Sequence, residues 1–258
     1  MKIARLPIEL IALAVVMAVS VLLVLRVPPA RQDTVLASYS TDLAGRTPHQ
    51  RYNARRAAAA LDGVVVKPGA TFSFDKIVKG WTGDQGFLRA PVSYNGTLID
   101  DYGGGVCETS TTIYNAALLA GLCIVERHSH SFSPSYAPPG RDAAVAYPSA
   151  DLRFVNTYPW PITLHVRPWG SRLVCQIQAL HNTQAKVLLY SRILGRTAPS
   201  DAPVTPGAGM RRTRWQLQGR DGLRVAIFRS WYENGAEIKT EEISDDTYLP
   251  ISRVAWEQ

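Results

Sequence analysis

Residues 103–121, GGGVCETSTTIYNAALLAG, carry the reading on which the rest of the chain depends. Ile113, Ala116, Ala117 and Ala120 recur there at helical spacing, and Gly121 is a natural stop. Thr109, Ser110, Thr111 and Thr112 are expected to supply N-cap oxygens. The spacing predicts a buried helix that holds Cys107 at, or just before, its first turn. A thiol reacts as the thiolate, which a helix N-terminus favours through unpaired N–H groups and the positive end of its dipole. The same N–H groups can hold an oxyanion. Gly103, Gly104 and Gly105 allow close approach of the backbone to a ligand. Nucleophile, glycine approach and oxyanion hole are the needs of acyl transfer. The bland alternative on residue types is a buried cysteine at a tight glycine turn.

A cysteine nucleophile needs a base, and Arg127-His128-Ser129-His130-Ser131 offers two. On a strand, His128 and His130 would point to the same face. Either could take the thiol proton. Asp142 is a candidate to orient the imidazole, with Asp151 and Asn156 as weaker ones. A cysteine and paired histidines could also ligate zinc, but no third histidine or second cysteine falls at ligand spacing, so no metal or other cofactor is expected.

Outward from this centre the pattern is mixed. Residues 49–61 (HQRYNARRAAAAL) predict a helix, residues 64–66 a short strand, 67–69 a turn and 71–74 a second strand. Residues 122–127 read as a strand, and 161–169 with 172–180 as a hairpin about Gly170-Ser171. Residues 186–194 add a strand. After a proline-rich break at 198–209, strands are expected at 212–218, 223–232 and 236–243, the last two joined by Glu233-Asn234-Gly235. The fold class is α+β, with helices packed on a mostly antiparallel sheet, a small all-β C-terminal extension and one N-terminal transmembrane helix. The expected divisions are an anchor at 1–27, a polar linker at 28–48, the main domain at 49–197 and a β-rich module at 198–258.

The N-terminal expectation rests on residues 10–25 (LIALAVVMAVSVLLVL), uncharged and following Lys2 and Arg5. With its flanks this run reaches roughly 20 residues, the length a bilayer core requires. The positive flank predicts a cytoplasmic N-terminus and an extracytoplasmic globular part, held in the cytoplasmic membrane by a single pass. Cleavage is the alternative, although no A-x-A site follows. The net charge of +7 suits an anionic polymer or membrane, and no aromatic-plus-basic motif points to nucleic acid. In an oxidising compartment Cys123 and Cys175 could pair, or both could be small buried hydrophobes.

Several motifs in order, 68–74 (PGATFSF), 103–116 (GGGVCETSTTIYNA), 127–131 (RHSHS), 139–145 (PGRDAAV) and 151–156 (DLRFVN), resemble the VanW-like family over roughly residues 50–185. The resemblance departs at Glu108, where that family usually has glutamine, placing a negative charge near the thiol. It implies a peptidoglycan-modifying, L,D-transpeptidase-like cysteine acyltransferase whose partners are stem peptides. Cys107 would attack the acyl-donor carbonyl and release a terminal D-alanine, and an acceptor amine would resolve the thioester. Arg127 and Arg141 could then bind stem-peptide carboxylates, with Gly103, Gly104, Gly105, Glu108 and Ser110 lining the same cleft. A noncatalytic wall-binding or scaffold protein, and a cysteine amidase acting on wall peptides, are the competing readings.

Overall fold

The computed structural model describes residues 33–94, 97–183, 185–199 and 219–251. The expected anchor at 1–27 and the expected strand at 212–218 lie outside the described residues. Among the described residues, no helix is long and apolar enough to cross a membrane. The fold is α+β with few helices, and every strand pairing is antiparallel.

Helix α1 (Pro48–Leu61) begins at a capping box, with Thr47 and Gln50 satisfying each other's backbone N–H and Pro48 opening the first turn. Ala54, Ala57, Ala58 and Leu61 form its buried stripe. These alanines let α1 lie close to helix α3 (Val106–Leu119), where Thr109 Oγ1 donates to the Ala54 carbonyl at 3.0 Å. Between the two helices in sequence come strands β2 (Val65–Val66) and β3 (Thr71–Ser73), and helix α2 (Phe74–Val78). The hairpin of β4 (Arg89–Tyr94) and β5 (Thr97–Tyr102) then leads into the glycine run. The expected strand at 71–74 stops one residue early. Ser73 Oγ caps the Lys76 N–H at 3.2 Å, so Phe74 starts α2 instead.

Strands β6 (Cys123–Glu126) and β7 (Arg153–Val155) form a sheet with β3. Strands β8 (Ile162–Trp169) and β9 (Arg172–Ala179) are the expected hairpin, with Gly170 in the turn at φ +60°. Their inward residues Leu164, Val166, Cys175 and Ile177 meet the alanine faces of α1 and α3 in one core. Strands β10 (Lys186–Thr197), β11 (Gly222–Glu233) and β12 (Ala236–Tyr248) make a third sheet. The all-β C-terminal extension was expected to begin after residue 197, but its sheet takes in β10. That strand pairs with β11 along its whole length, from Lys186 opposite Tyr232 to Thr197 opposite Gly222.

Two further expectations are corrected. Residues 34–42, within the expected linker, form strand β1 (Thr34–Asp42) on the edge of the β8–β9 sheet. Its inward residues include Ala37 and Thr41, too small or polar to show a period of two in hydropathy. Thr41 Oγ1 instead meets Thr112 Oγ1 at 2.9 Å. Residues 109–112 do not cap α3 either. Gly105 is its N-cap, without a side-chain bond, and all of the helix except Cys107 and Leu119 is buried. The C-terminus ends as expected at Gly121 (φ +71°), where Gly121 and Leu122 N–H groups return to Leu118 and Ala117 carbonyls at 3.0 Å each. Cys175 is buried, Cys123 is exposed, and both are free thiols.

At Gly105 φ is +104°, and an added Cβ would lie 2.3 Å from the Gln50 carbonyl oxygen. Gly105→Ala is expected to cost about 3 kcal/mol or more, because left-handed strain and a backbone clash add. An unchanged Tm by circular dichroism would contradict this. Asp75 is buried with Oδ1 unpartnered, and burial together with the Asp151 charge raises its carboxyl to about 6. The folded chain then binds more protons than the unfolded one between about pH 4 and 6, so stability falls as pH rises through that window. Asp75→Asn is expected to raise Tm at about pH 7.5 and to leave it nearly unchanged at about pH 4, in paired melts.

Candidate active site

The glycine run is built for close packing within the chain. A Cβ at Gly103 would meet the Trp81 ring at 2.1 Å, and one at Gly104 the Pro91 carbonyl at 2.6 Å. Asn53, buried on α1, fastens the run by donating to the Gly104 carbonyl at 3.0 Å and bonding both backbone groups of Leu88. This fixes where α3 begins. Val106 and Glu108 N–H groups donate to the Gly103 and Gly105 carbonyls at 2.9 and 3.2 Å. Among the described residues, nothing accepts from the Cys107 N–H between them. The Cys107 thiol thus lies at the positive end of a helix.

The hydroxyls of α3 hold the segment that faces Cys107. Ser110 Oγ donates to the Ala143 carbonyl at 2.6 Å, and Thr111 Oγ1 accepts from the Ala143 N–H at 2.9 Å. Asn115 Nδ2 donates to the Arg141 carbonyl at 2.7 Å. Residues 141–145 are thus laced to the helix, with the Val145 carbonyl 3.5 Å from Cys107 Sγ. Asp142, fully buried, turns toward His130. Its Oδ2 accepts from the His130 N–H at 2.8 Å and from Nδ1 at 2.6 Å. The other end of that imidazole lies 3.4 Å from the Tyr136 hydroxyl, and the Cys107 thiol is near enough to the ring for each to shift the other's pKa. The head of α3 therefore gathers a thiol, an imidazole and a buried carboxylate, the groups that a nucleophile, its base and an orienting carboxylate would require.

The electrostatics follow from burial set against pairing. Burial pushes the Cys107 thiol up, but the hydrogen bond and charge of His130 outweigh it and hold the thiol below its ordinary range. Burial likewise pushes His130 down, and the bonds to Asp142 and Cys107 override that, raising it to about 10. Asp142 would be raised by burial, yet His130 and Arg127 keep it below the usual carboxylate range. Both shifts run toward a thiolate–imidazolium pair backed by a carboxylate. Burial and the nearby thiol charge also raise the Tyr136 hydroxyl, which stays protonated 3.4 Å from His130 Nε2.

The remaining sequence-predicted residues lie elsewhere. His128 follows the end of β6, is 44% exposed, and bonds Glu126 Oε1 at 3.0 Å, so the two histidines do not share a strand face. Glu108 turns its carboxylate to Arg46 at 2.8 Å, while burial raises it. Arg127 spends its guanidinium on Asp142 at 3.0 Å and Asp246 at 2.5 Å. Arg141 bonds Asn115 Oδ1 and lies over the Tyr39 ring. Asp151 bonds Ser73 and the Asp75 N–H, and Asn156 braces the Val66 and Trp160 carbonyls. Among the described residues, no group of three His, Cys, Asp or Glu is placed to hold a metal ion. Sequence reasoning missed Tyr136, Arg46, Asp246 and Tyr248. Tyr136 lies six residues past His130 and could have been weighed; the others carry no local signal.

The family model described as VanW like protein matches residues 49–178. The chain belongs to the VanW-like family. It is 39% identical over 139 residues to the uncharacterized protein YoaR of Bacillus subtilis, covering 54% of this chain and 46% of that protein. It is 28% identical over 139 residues to the vancomycin B-type resistance protein VanW of Enterococcus faecalis, covering 52% of this chain and 50% of that one. The chain thus spans about half the length of the curated relatives it matches. No solved structure matches it. Cys107, His130 and Asp142 all fall inside the family match, whereas Arg46, Asp246 and Tyr248 fall outside it.

The pairing can be read from thiol chemistry. Iodoacetamide labelling followed across pH by peptide mass mapping is expected to show Cys107 reacting at a lower pH than a free-cysteine peptide. His130→Ala removes the stabilising charge and leaves the burial penalty, so labelling at neutral pH should slow by about tenfold or more. Equal rates in the two proteins would contradict the pairing.

Proposed function

We propose that this VanW-like protein is a cell-wall cysteine acyltransferase that acts on peptidoglycan stem peptides through a Cys107 thioester. The supporting observation is that Cys107 lies in the first turn of α3 and is coupled in charge to His130, whose Nδ1 meets Asp142 Oδ2 at 2.6 Å. Association of the family with the cell wall supports the substrate class, through the resistance protein whose name the family carries. The apolar segment at 10–25 supports an envelope location, anchored in the cytoplasmic membrane with the folded part outside.

The Cys107 thiolate attacks the carbonyl carbon of a stem-peptide amide, and the resulting oxyanion sits toward the Cys107 N–H. As the C–N bond breaks, His130 Nε2–H protonates the leaving amine, and a thioester remains on Sγ. Neutral His130 then takes the proton of an acceptor amine as it attacks the thioester. The new amide leaves, and the thiolate–imidazolium pair is restored. Asp142 stays ionised throughout and holds the Nδ1–H tautomer. Water in place of the amine would turn the same cycle into hydrolysis.

Intact mass spectrometry of the full chain incubated with a tetrapeptide muropeptide tests this reading beside a Cys107→Ala control. The expected result is an acyl adduct on the wild-type protein alone, discharged faster when an acceptor amine is added. Discharge indifferent to amine would make the protein an amidase. No adduct, with muropeptide binding that survives Cys107→Ala, would sink the enzyme reading and leave a binding module.

A further inference from the structure

Strand β12 ends at the buried carboxylate. Tyr248 donates its hydroxyl proton to Asp142 Oδ1, the oxygen that His130 does not use, and accepts the Gly140 N–H at 2.8 Å. Asp246, two residues earlier on the same face of the strand, takes Arg127 Nη1 at 2.5 Å, while Arg127 Nη2 reaches Asp142 Oδ1 at 3.0 Å. Ser244 Oγ donates to Asp246 Oδ2 at 2.8 Å and fixes that carboxylate in turn. Tyr248, Arg127 and Asp142 are nearly or fully buried. The contacts of Tyr248 with Asp142 and Gly140, and of Asp246 with Arg127, join residues more than a hundred positions apart, and β12 lies beyond the family match at 49–178.

We propose that Tyr248 and Asp246 are positioning residues: the C-terminal sheet supplies the contacts that fix the Asp142 carboxylate and aim it at His130, Tyr248 directly and Asp246 by holding Arg127. Both act through Asp142, and neither reaches the thiol. The name of the reaction they serve rests on the acyl-transfer reading above, but the charge network exists without substrate. The Tyr248 ring packs on Val225 and Ile227, which is a structural task, and only its hydroxyl speaks to Asp142. The groups facing the imidazole and its carboxylate are Cys107, Tyr136, Arg127 and Tyr248, with Tyr114 and Asp246 behind Arg127.

The two residues have opposite electrostatic signs, which separates positioning from packing. The Tyr248 O–H dipole presents its positive end to Asp142, so removing it leaves the carboxylate freer to stabilise imidazolium. Asp246 shares Arg127, so neutralising it gives the guanidinium wholly to Asp142 and removes a nearby negative charge. The test is histidine-selective NMR titration of the full-length protein, with His130 assigned through a His130→Gln variant. Tyr248→Phe keeps the ring and is expected to move the His130 midpoint up, while Asp246→Asn moves it down, each by about half a pH unit. Midpoints that stay at the wild-type value, or that both move the same way, would overturn the proposal. Should Tyr248→Phe fail to fold, the direction in Asp246→Asn decides alone. An absent acyl adduct would defeat the transferase reading without touching these midpoints, so the two failures are distinguishable.

Discussion

The Asp142 carboxylate has no access to water and receives donors from the His130 backbone and ring, from Arg127 and from Tyr248. An unpaired charge in that position would cost several kcal/mol, so those partners are a condition of folding as well as of chemistry. Much of the surrounding structure follows from meeting it. His130 contributes two donors to one oxygen, which fixes both the backbone and the ring of that residue. Arg127 spans from Asp142 to Asp246, with its planar fork over the Tyr114 ring. The third sheet is tied in by the same contacts, and again at the far end of α3, where Arg229 donates to the Leu118 and Leu122 carbonyls.

The second constraint is the burial of α3 on nearly every side. A helix so enclosed usually reads as apolar, yet this one carries Thr109, Ser110, Thr111, Thr112 and Asn115 inward. Each side chain meets a specific backbone group or hydroxyl, so none is left to oppose burial. These bonds also set the distance between helix and the 141–145 segment. The thiol at the head of the helix and the carboxylate on that segment are thus held in register by a rigid polar seam. Alanines on α1 and glycines at 103–105 make the seam possible, because larger side chains would push the helices and the β4 backbone apart.

Legibility in the sequence followed the range of the interaction. The β8–β9 and β11–β12 hairpins were readable because Gly170 and Asn234-Gly235 act within a few residues of themselves. The stop of α3 at Gly121 was readable for the same reason. Strand β1 was hidden because Ala37 and Thr41 owe their burial to α3, far along the chain. The hydroxyls at 109–112 were misread as caps because their partners, Ala54 and Ala143, are equally distant.

By itself the sequence determined which residue types were present for chemistry, a thiol opening a helix and histidines and an aspartate following it, along with the local turns and helix ends. Which histidine lies near enough to the thiol to share charge with it was decided only by tertiary structure. His130 is drawn in because a buried carboxylate needs its donors, and His128 stays outside because Glu126 beside it on the surface satisfies it. The same holds for Glu108, turned aside by Arg46, and for Tyr248, brought to Asp142 by a strand more than a hundred residues away. Burial makes each polar group demand a partner, and the folded chain rather than the local sequence settles which one it finds.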